Sequence, residues 1–398
     1  MKKIFTFGNR KFKTMKITLS ILTFTTLTVF GAKVLYFGTD KNLEEPLTNP
    51  TISHVIFENR NIVSASVDSL ISSTELKKSE NLTTDLFRHA YEEIKDMLEN
   101  RKPISFKKAV FLIDNAYMGG TLNWEWYNQE IKNKLTVFDQ MINSSGYGKY
   151  KTAKNWAIHT YMTDTTITPN GYQRYHYDYA NYTNDTTGLV YNLLQTHLGN
   201  CRSLPYLFKI WCDEYGASAF LATAPMHVYV RQQDENGVWW NLELTSFYRY
   251  MPSEDYIAQL EITEAARKSG LYMKSLNEQE NLVLCLDDLL RYYLERNDII
   301  CDPFVEEVLE TAIKYRPISE VQLKRFSCFK HKLDNAMEAK GINDYSKIGK
   351  YPDLVKKFEA MDSVGHFIEW TGYRKISEER YQNMTNETEQ KRKKYTTK

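Results

Sequence analysis

Cysteine is scarce in this 398-residue chain, with only Cys201, Cys212, Cys285, Cys301 and Cys328. The number is odd, the spacings are irregular and no CxxC pair occurs. Neither a zinc site nor a disulfide framework is therefore expected, and at least one thiol should be free. His159, His176 and His197 form no HxxxH or HxH pattern, so they give no metal signal either, although one of them could line a cleft. Charge of one sign is also lacking. The formal net charge is +1, which removes bulk attraction to nucleic acid. Gly119-Gly120 lacks the Lys-Ser/Thr of a phosphate-cradling loop. No metal, cofactor or nucleic-acid partner is expected.

The chain is long enough for one large or two medium domains. Aromatic residues make up 14% of it, with 28 Tyr and 7 Trp, and core packing is their first use. At the N-terminus, Lys2, Lys3, Arg10, Lys11, Lys13 and Lys16 precede an apolar or hydroxyl-bearing run from Ile17 to Ala32. That run has the length of a signal-peptide core and is short for a membrane span. Export is expected, with residues 1–38 either cleaved or kept as a signal anchor. The product would be secreted, periplasmic or held at the cell envelope, touching membrane only through this segment.

Residues 39–80 are polar and read as a linker. Leu86, Ala90, Ile94 and Leu98 then recur every four residues, as in a helix. Further helices are expected over 105–117, stopped by Gly119-Gly120, and over 123–142. Residues 147–185 read as long loops with one short strand. After Thr245 the pattern turns helical, with helices over 281–293, 303–315 and 319–340. Ala312 and Pro317 suit a tetratricopeptide-type hairpin or an ordinary helical bundle equally. A domain over 81–260, a helical region over 261–375 able to bind a partner protein, and a tail over 376–398 frayed into disorder are the expected divisions.

Chemistry concentrates in one stretch. Gly199-Asn200 forms a turn, Asn200 can cap a helix, and Pro205 is tolerable only in the helix's first turn. Cys201 therefore lies at a helix start, where backbone N–H groups and the dipole favour thiolate and could bind an oxyanion. Downstream, 227–231 and 238–245 alternate as strands do. Val228, Val230, Trp240, Leu242 and Leu244 share a core face only if the hairpin loop is centred on a residue. Centring on Glu235 places His227 directly opposite Glu243; a two-residue turn at Asn236-Gly237 would oppose the wrong faces. A nucleophile, a general base and an orienting carboxylate follow as Cys201, His227 and Glu243. Asn241, on the Glu243 face, is a fallback orienting residue, and Tyr229 and Trp239 are candidates to line the cleft.

Asn200-Cys201, Met226-His227-Val228-Tyr229-Val230 and Trp240-Asn241-Leu242-Glu243-Leu244-Thr245 resemble the transglutaminase-like superfamily, most closely its bacterial branch. The resemblance covers roughly residues 192–246. It implies an α+β, papain-like core with the nucleophile helix packed on a small antiparallel sheet, followed by tetratricopeptide-type repeats. It also implies attack on an amide of a protein or peptide through a thioester, resolved by water or by an amine, with water the default. Two positions depart from the family pattern: Glu243 stands where Asp is usual, and Arg202-Ser203-Leu204-Pro205 replaces a small-residue turn. The alternative expectation is a non-catalytic exported or anchored protein that binds a partner through its helices.

Overall fold

The computed structural model describes residues 84–165, 173–246 and 250–396. The expected export segment and the whole of the linker lie outside these residues. The described residues fall within one compact unit, Ser79–Lys398. They are mixed α and β, and mostly helical.

Helix α1 spans 84–98 and buries Phe87, Ala90, Tyr91, Ile94, Met97 and Leu98. Helix α2, Phe106–Tyr117, is capped by the Ser105 hydroxyl, which accepts from Lys108 N at 3.2 Å. Helix α3, Trp124–Ser145, is capped in the same way by Asn123. Such side-chain oxygens satisfy amides that have no partner inside the helix. Helix α4, Ala153–Thr163, lies where long loops were expected. It buries Asn155, His159 and Thr163 along with Ala157, Ile158 and Met162. Polar residues on buried faces erase the periodicity by which a helix is recognised.

A two-residue strand β1, His176–Tyr177, pairs in parallel with β2, Leu198–Gly199. Between them lies α5, Val190–Thr196. Helix α6, Ser203–Tyr215, buries Leu204, Leu207, Phe208, Ile210 and Trp211 completely. The main sheet follows: β3 (Phe220–Ala224), β4 (His227–Gln233), β5 (Trp239–Leu242) and β6 (Tyr250–Met251), antiparallel in that order. Leu221, Val228, Val230, Leu242 and Leu244 join the core that contains α6. Ala222, Ala224 and Tyr229 face a second cluster with Tyr256, Leu260, Leu271 and Tyr272. With both faces covered, strict apolar–polar alternation is not required of the inner strands.

The hairpin differs from expectation by two residues. Val230 pairs with Leu242, so Glu243 falls in line with Tyr229 rather than His227. The loop is centred on Asn236: Asp234 N donates to Val238 O and Gly237 N to Asp234 O, with Gly237 at φ 80°. Three-residue hairpin loops place glycine at this left-handed position. Face parity is preserved, so His227 and Glu243 still share a face. Trp240 is the exception: it is 46% exposed, outside the core, and its indole donates to Asp234 Oδ2.

Helices α7 (Ser253–Gln259), α8 (Glu264–Ser269), α9 (Glu278–Asn297), α10 (Pro303–Tyr315), α11 (Val321–Glu338), α12 (Pro352–Trp370) and α13 (Glu378–Thr396) complete the chain. None of the described helices is long and apolar enough to cross a membrane. Helix α9 starts with a capping box between Asn277 and Glu280 and packs on both α2 and α10. One apolar core runs from Phe87 to Cys328, so residue 260 does not separate two cores. The segment expected to fray carries helix α13. A further correction concerns Cys301 and Cys328, which form a disulfide across 27 residues, while Cys201, Cys212 and Cys285 are free. Irregular spacing could not reveal a pair made adjacent by the α10–α11 turn.

Closing a loop of that length restricts the unfolded chain, which stabilises the fold by roughly 3–4 kcal/mol. Cys301→Ser/Cys328→Ser should therefore lower the urea midpoint of the oxidised protein. It should leave the midpoint of the reduced protein almost unchanged.

Candidate active site

The nucleophile turn is set by local contacts. Asn200 Oδ1 accepts from Arg202 N at 2.9 Å and Ser203 N at 3.4 Å, and Leu204 N donates to Asn200 O. Cys201 thus sits in the entry turn of α6, and Pro205 falls in its first turn, where its missing N–H costs nothing. Ser203 Oγ accepts from Asn200 N and donates to Thr187 O at 2.6 Å. This packs the hydroxyl against Gly199, where an added Cβ would lie 2.4 Å from it. The amides of Arg202 and Ser203 are committed to Asn200, so they are not the oxyanion donors expected of this helix start.

Arg202 accounts for the departure after the cysteine. Its guanidinium pairs with Asp288 at 2.5 Å and Asp287 at 3.4 Å, both on α9. Tyr206 OH also donates to Asp288, at 2.8 Å. Lys324 pairs with Asp287, and Arg291 with Asp185 and Asp288. Three cations thereby match three carboxylates, the condition under which buried charge is tolerated.

His227 follows a tight turn. Pro225 fixes the first turn position, and Met226 takes φ 56°, left-handed backbone that is costly for a residue with a side chain. The Met226 carbonyl lies 3.7 Å from Cys201 Sγ. The His227 Nε2 is 2.8 Å from Glu243 Oε2, and the imidazole stands beside the Cys201 thiol, each favouring the other's charged form. Glu243 is 4% exposed. Its Oε2 also accepts from Tyr256 OH at 2.6 Å, and its Oε1 accepts from Thr245 N at 2.8 Å and Thr245 Oγ1 at 2.6 Å. Tyr256 stacks on Tyr229 at 4.4 Å between centroids, and both rings flank His227.

Electrostatics follow from this geometry. Burial disfavours charge on all three groups, but the partners outweigh it. Against burial, the His227 hydrogen bond and charge lower the Cys201 thiol below its ordinary value. Glu243 and Cys201 raise His227 to about 10. His227, Thr245 and Tyr256 lower Glu243 to about 2. Each shift favours the charged form, so the arrangement favours thiolate, imidazolium and carboxylate over their neutral forms.

All three expected residues therefore meet. Asn241 does not join them, since its amide donates to Met251 O and Ser253 Oγ. The cleft beside His227 and Glu243 is lined by Tyr177, Tyr179, Thr245, Tyr256, Leu260 and, from α13, Tyr381. Trp239, Tyr229, His159, His176 and His197 are not part of that lining. Tyr256 and Tyr381 were missed because they reach the site from distant helices. Thr245 was recoverable, since a hydroxyl two residues from a carboxylate readily bonds it locally. Elsewhere among the described residues, Cys301, Glu306 and Cys328 bring ligand-type atoms together. Sulfurs bonded to each other are not thiolate ligands, and Lys332 pairs with Glu306.

No protein-family model, curated protein or solved structure matches the chain.

The Glu243 contribution to stability is present above its unfolded value of 4.5 and is lost as pH falls through about 2. The His227 contribution is complete below 6.5 and is lost as pH rises through about 10. The stability gap between wild type and Glu243→Gln, from urea unfolding, should thus be widest between pH 4.5 and 6.5 and narrow toward pH 10. Gly199→Ala should lower stability and slow Cys201 alkylation together, because the clash is with the serine that shapes the nucleophile turn.

Proposed function

We propose that this chain is a thiol enzyme of the transglutaminase-like, papain-like kind, acting on amide bonds of a protein or peptide. The observation that carries it is His227 held at 2.8 Å by the buried Glu243 carboxylate and standing beside the Cys201 thiol, whose ionisation it favours. The packing of α6, which carries the nucleophile turn, on β3 and β4 supports the same assignment.

The Cys201 thiolate attacks the carbonyl carbon, forming a C–S bond while the carbonyl electron pair moves to oxygen. As the pair returns, the C–N bond breaks and imidazolium gives its proton to the departing amine. The neutral imidazole then takes a proton from water, whose oxygen attacks the thioester. The C–S bond breaks, the acid leaves, and thiolate and imidazolium are restored. An amine in place of water would yield a new amide. Hydrolysis is the default because water needs no site of its own. Glu243 stays ionised throughout and holds the ring, the orienting role of a triad carboxylate.

A disulfide between Cys301 and Cys328 supports export to an oxidising compartment. The non-catalytic alternative draws support from α13, which lies over the thiol; the helices would then serve a protein partner, through repeat-like packing of α9 to α12.

Incubation of the Tyr381→Ala/Met384→Ala chain, whose shortened side chains leave the Cys201 thiol uncovered, with a casein or glutamine-peptide library, read by mass spectrometry, tests the proposal. New carboxyl termini, or glutamine converted to glutamate, are expected, lost in Cys201→Ala and reduced ~10²–10⁴-fold in His227→Gln. Products that persist in Cys201→Ala would contradict it.

A further inference from the structure

The helix that was expected to be a disordered tail is placed against the thiol. Tyr381, Met384, Thr385 and Thr388 of α13 stand at i, i+3, i+4 and i+7, so they form one helical face. All four line the cleft that contains His227 and Glu243. The Tyr381 hydroxyl points at Cys201 Sγ, 4.0 Å away. A side chain in this position stands where a carbonyl carbon would have to approach the sulfur.

The attachment is shallow. None of the described side chains of α13 is fully buried, and the four cleft-facing ones are half-buried. Its apolar contribution is Tyr381 and Met384, at the edge of the second core cluster. Arg380 supplies the remaining hold: it donates to Ala258 O and Gln259 O at 3.3 Å each, at the end of α7, and pairs with Glu261 at 3.2 Å. Both partners of that ion pair are more than 40% exposed, so it is screened and adds little. A structural helix of a stable core would bury a continuous apolar stripe, and α13 does not. Elements held this way occupy the low-stability end of a protein and open locally.

We propose that α13 is an intramolecular cover of the thiol site, seated in the groove that a polypeptide substrate would use and displaced before one can bind. With Cys201 as the active thiol proposed above, the resting chain is self-inhibited, and removal or displacement of residues 378–396 exposes the nucleophile. The occupant also indicates the groove's preference. It accepts a polypeptide face carrying an aromatic side chain at the sulfur and a methionine-sized group one turn on.

The test uses the full-length chain and iodoacetamide, with alkylation of Cys201 followed by peptide mass spectrometry. Arg380→Glu, which loses both carbonyl contacts and repels Glu261, and Tyr381→Ala/Met384→Ala should each raise the labelling rate ten-fold or more. Labelling of the buried Cys212 and Cys285 should stay slow in both variants, which general unfolding would not allow. The midpoint of the pH–rate profile should stay below that of an ordinary thiol in the opened variants. Unchanged rates with a low midpoint would overturn the cover and leave the active thiol standing. Faster labelling with an ordinary-thiol midpoint would overturn the active thiol instead.

Discussion

The Glu243 carboxylate is the constraint on which the site depends. It is nearly sealed from solvent and accepts from His227, Tyr256 and both the amide and hydroxyl of Thr245. A carboxylate buried without such donors would neutralise itself by taking up a proton. With them it stays ionised, and that fixed negative charge holds the imidazole charged. The imidazolium in turn stabilises a thiolate. The order of cause therefore runs from strand end to sulfur. Glutamate suits this position for a geometric reason: in the observed register it lies diagonal to His227, and diagonal cross-strand neighbours are farther apart than opposed ones. The extra methylene spans the difference.

The sulfur is positioned from the other side. The turn before α6 is held internally by Asn200 and Ser203, and externally by Arg202 on the aspartates of α9. The helical region thus takes part in shaping the turn that carries Cys201. The buried charges offset one another across α6, α9 and α11. Removing one of them would leave an uncompensated charge, a larger cost than the pair itself contributes.

Much of this was legible because the informative signals are local. Capping residues, turn glycines and strand alternation placed Cys201 at a helix start and set His227 and Glu243 on a common face. Parity alone secured that last result, since the hairpin loop is centred on Asn236 rather than Glu235 and the register still moved by two residues. Trp240 was misplaced because a large aromatic on an exposed hairpin looks like core in a binary pattern. Helix α4 was hidden by buried Asn155, His159 and Thr163. Tyr256, Tyr381 and the Cys301–Cys328 bond depend on contacts between distant segments, which no spacing encodes. The cleft-facing side of α13 was not legible because the tail's composition favours solvent and that face carries only four residues.

The protonation of His227 tests the central claim most directly. Nitrogen-15 chemical shifts of the His227 ring at pH 8, in the full-length wild-type protein, distinguish imidazolium from either neutral tautomer. A doubly protonated ring that begins to titrate only toward pH 10 is the predicted result. A neutral ring at pH 8, titrating near 6.5 as a solvated histidine does, would contradict the account.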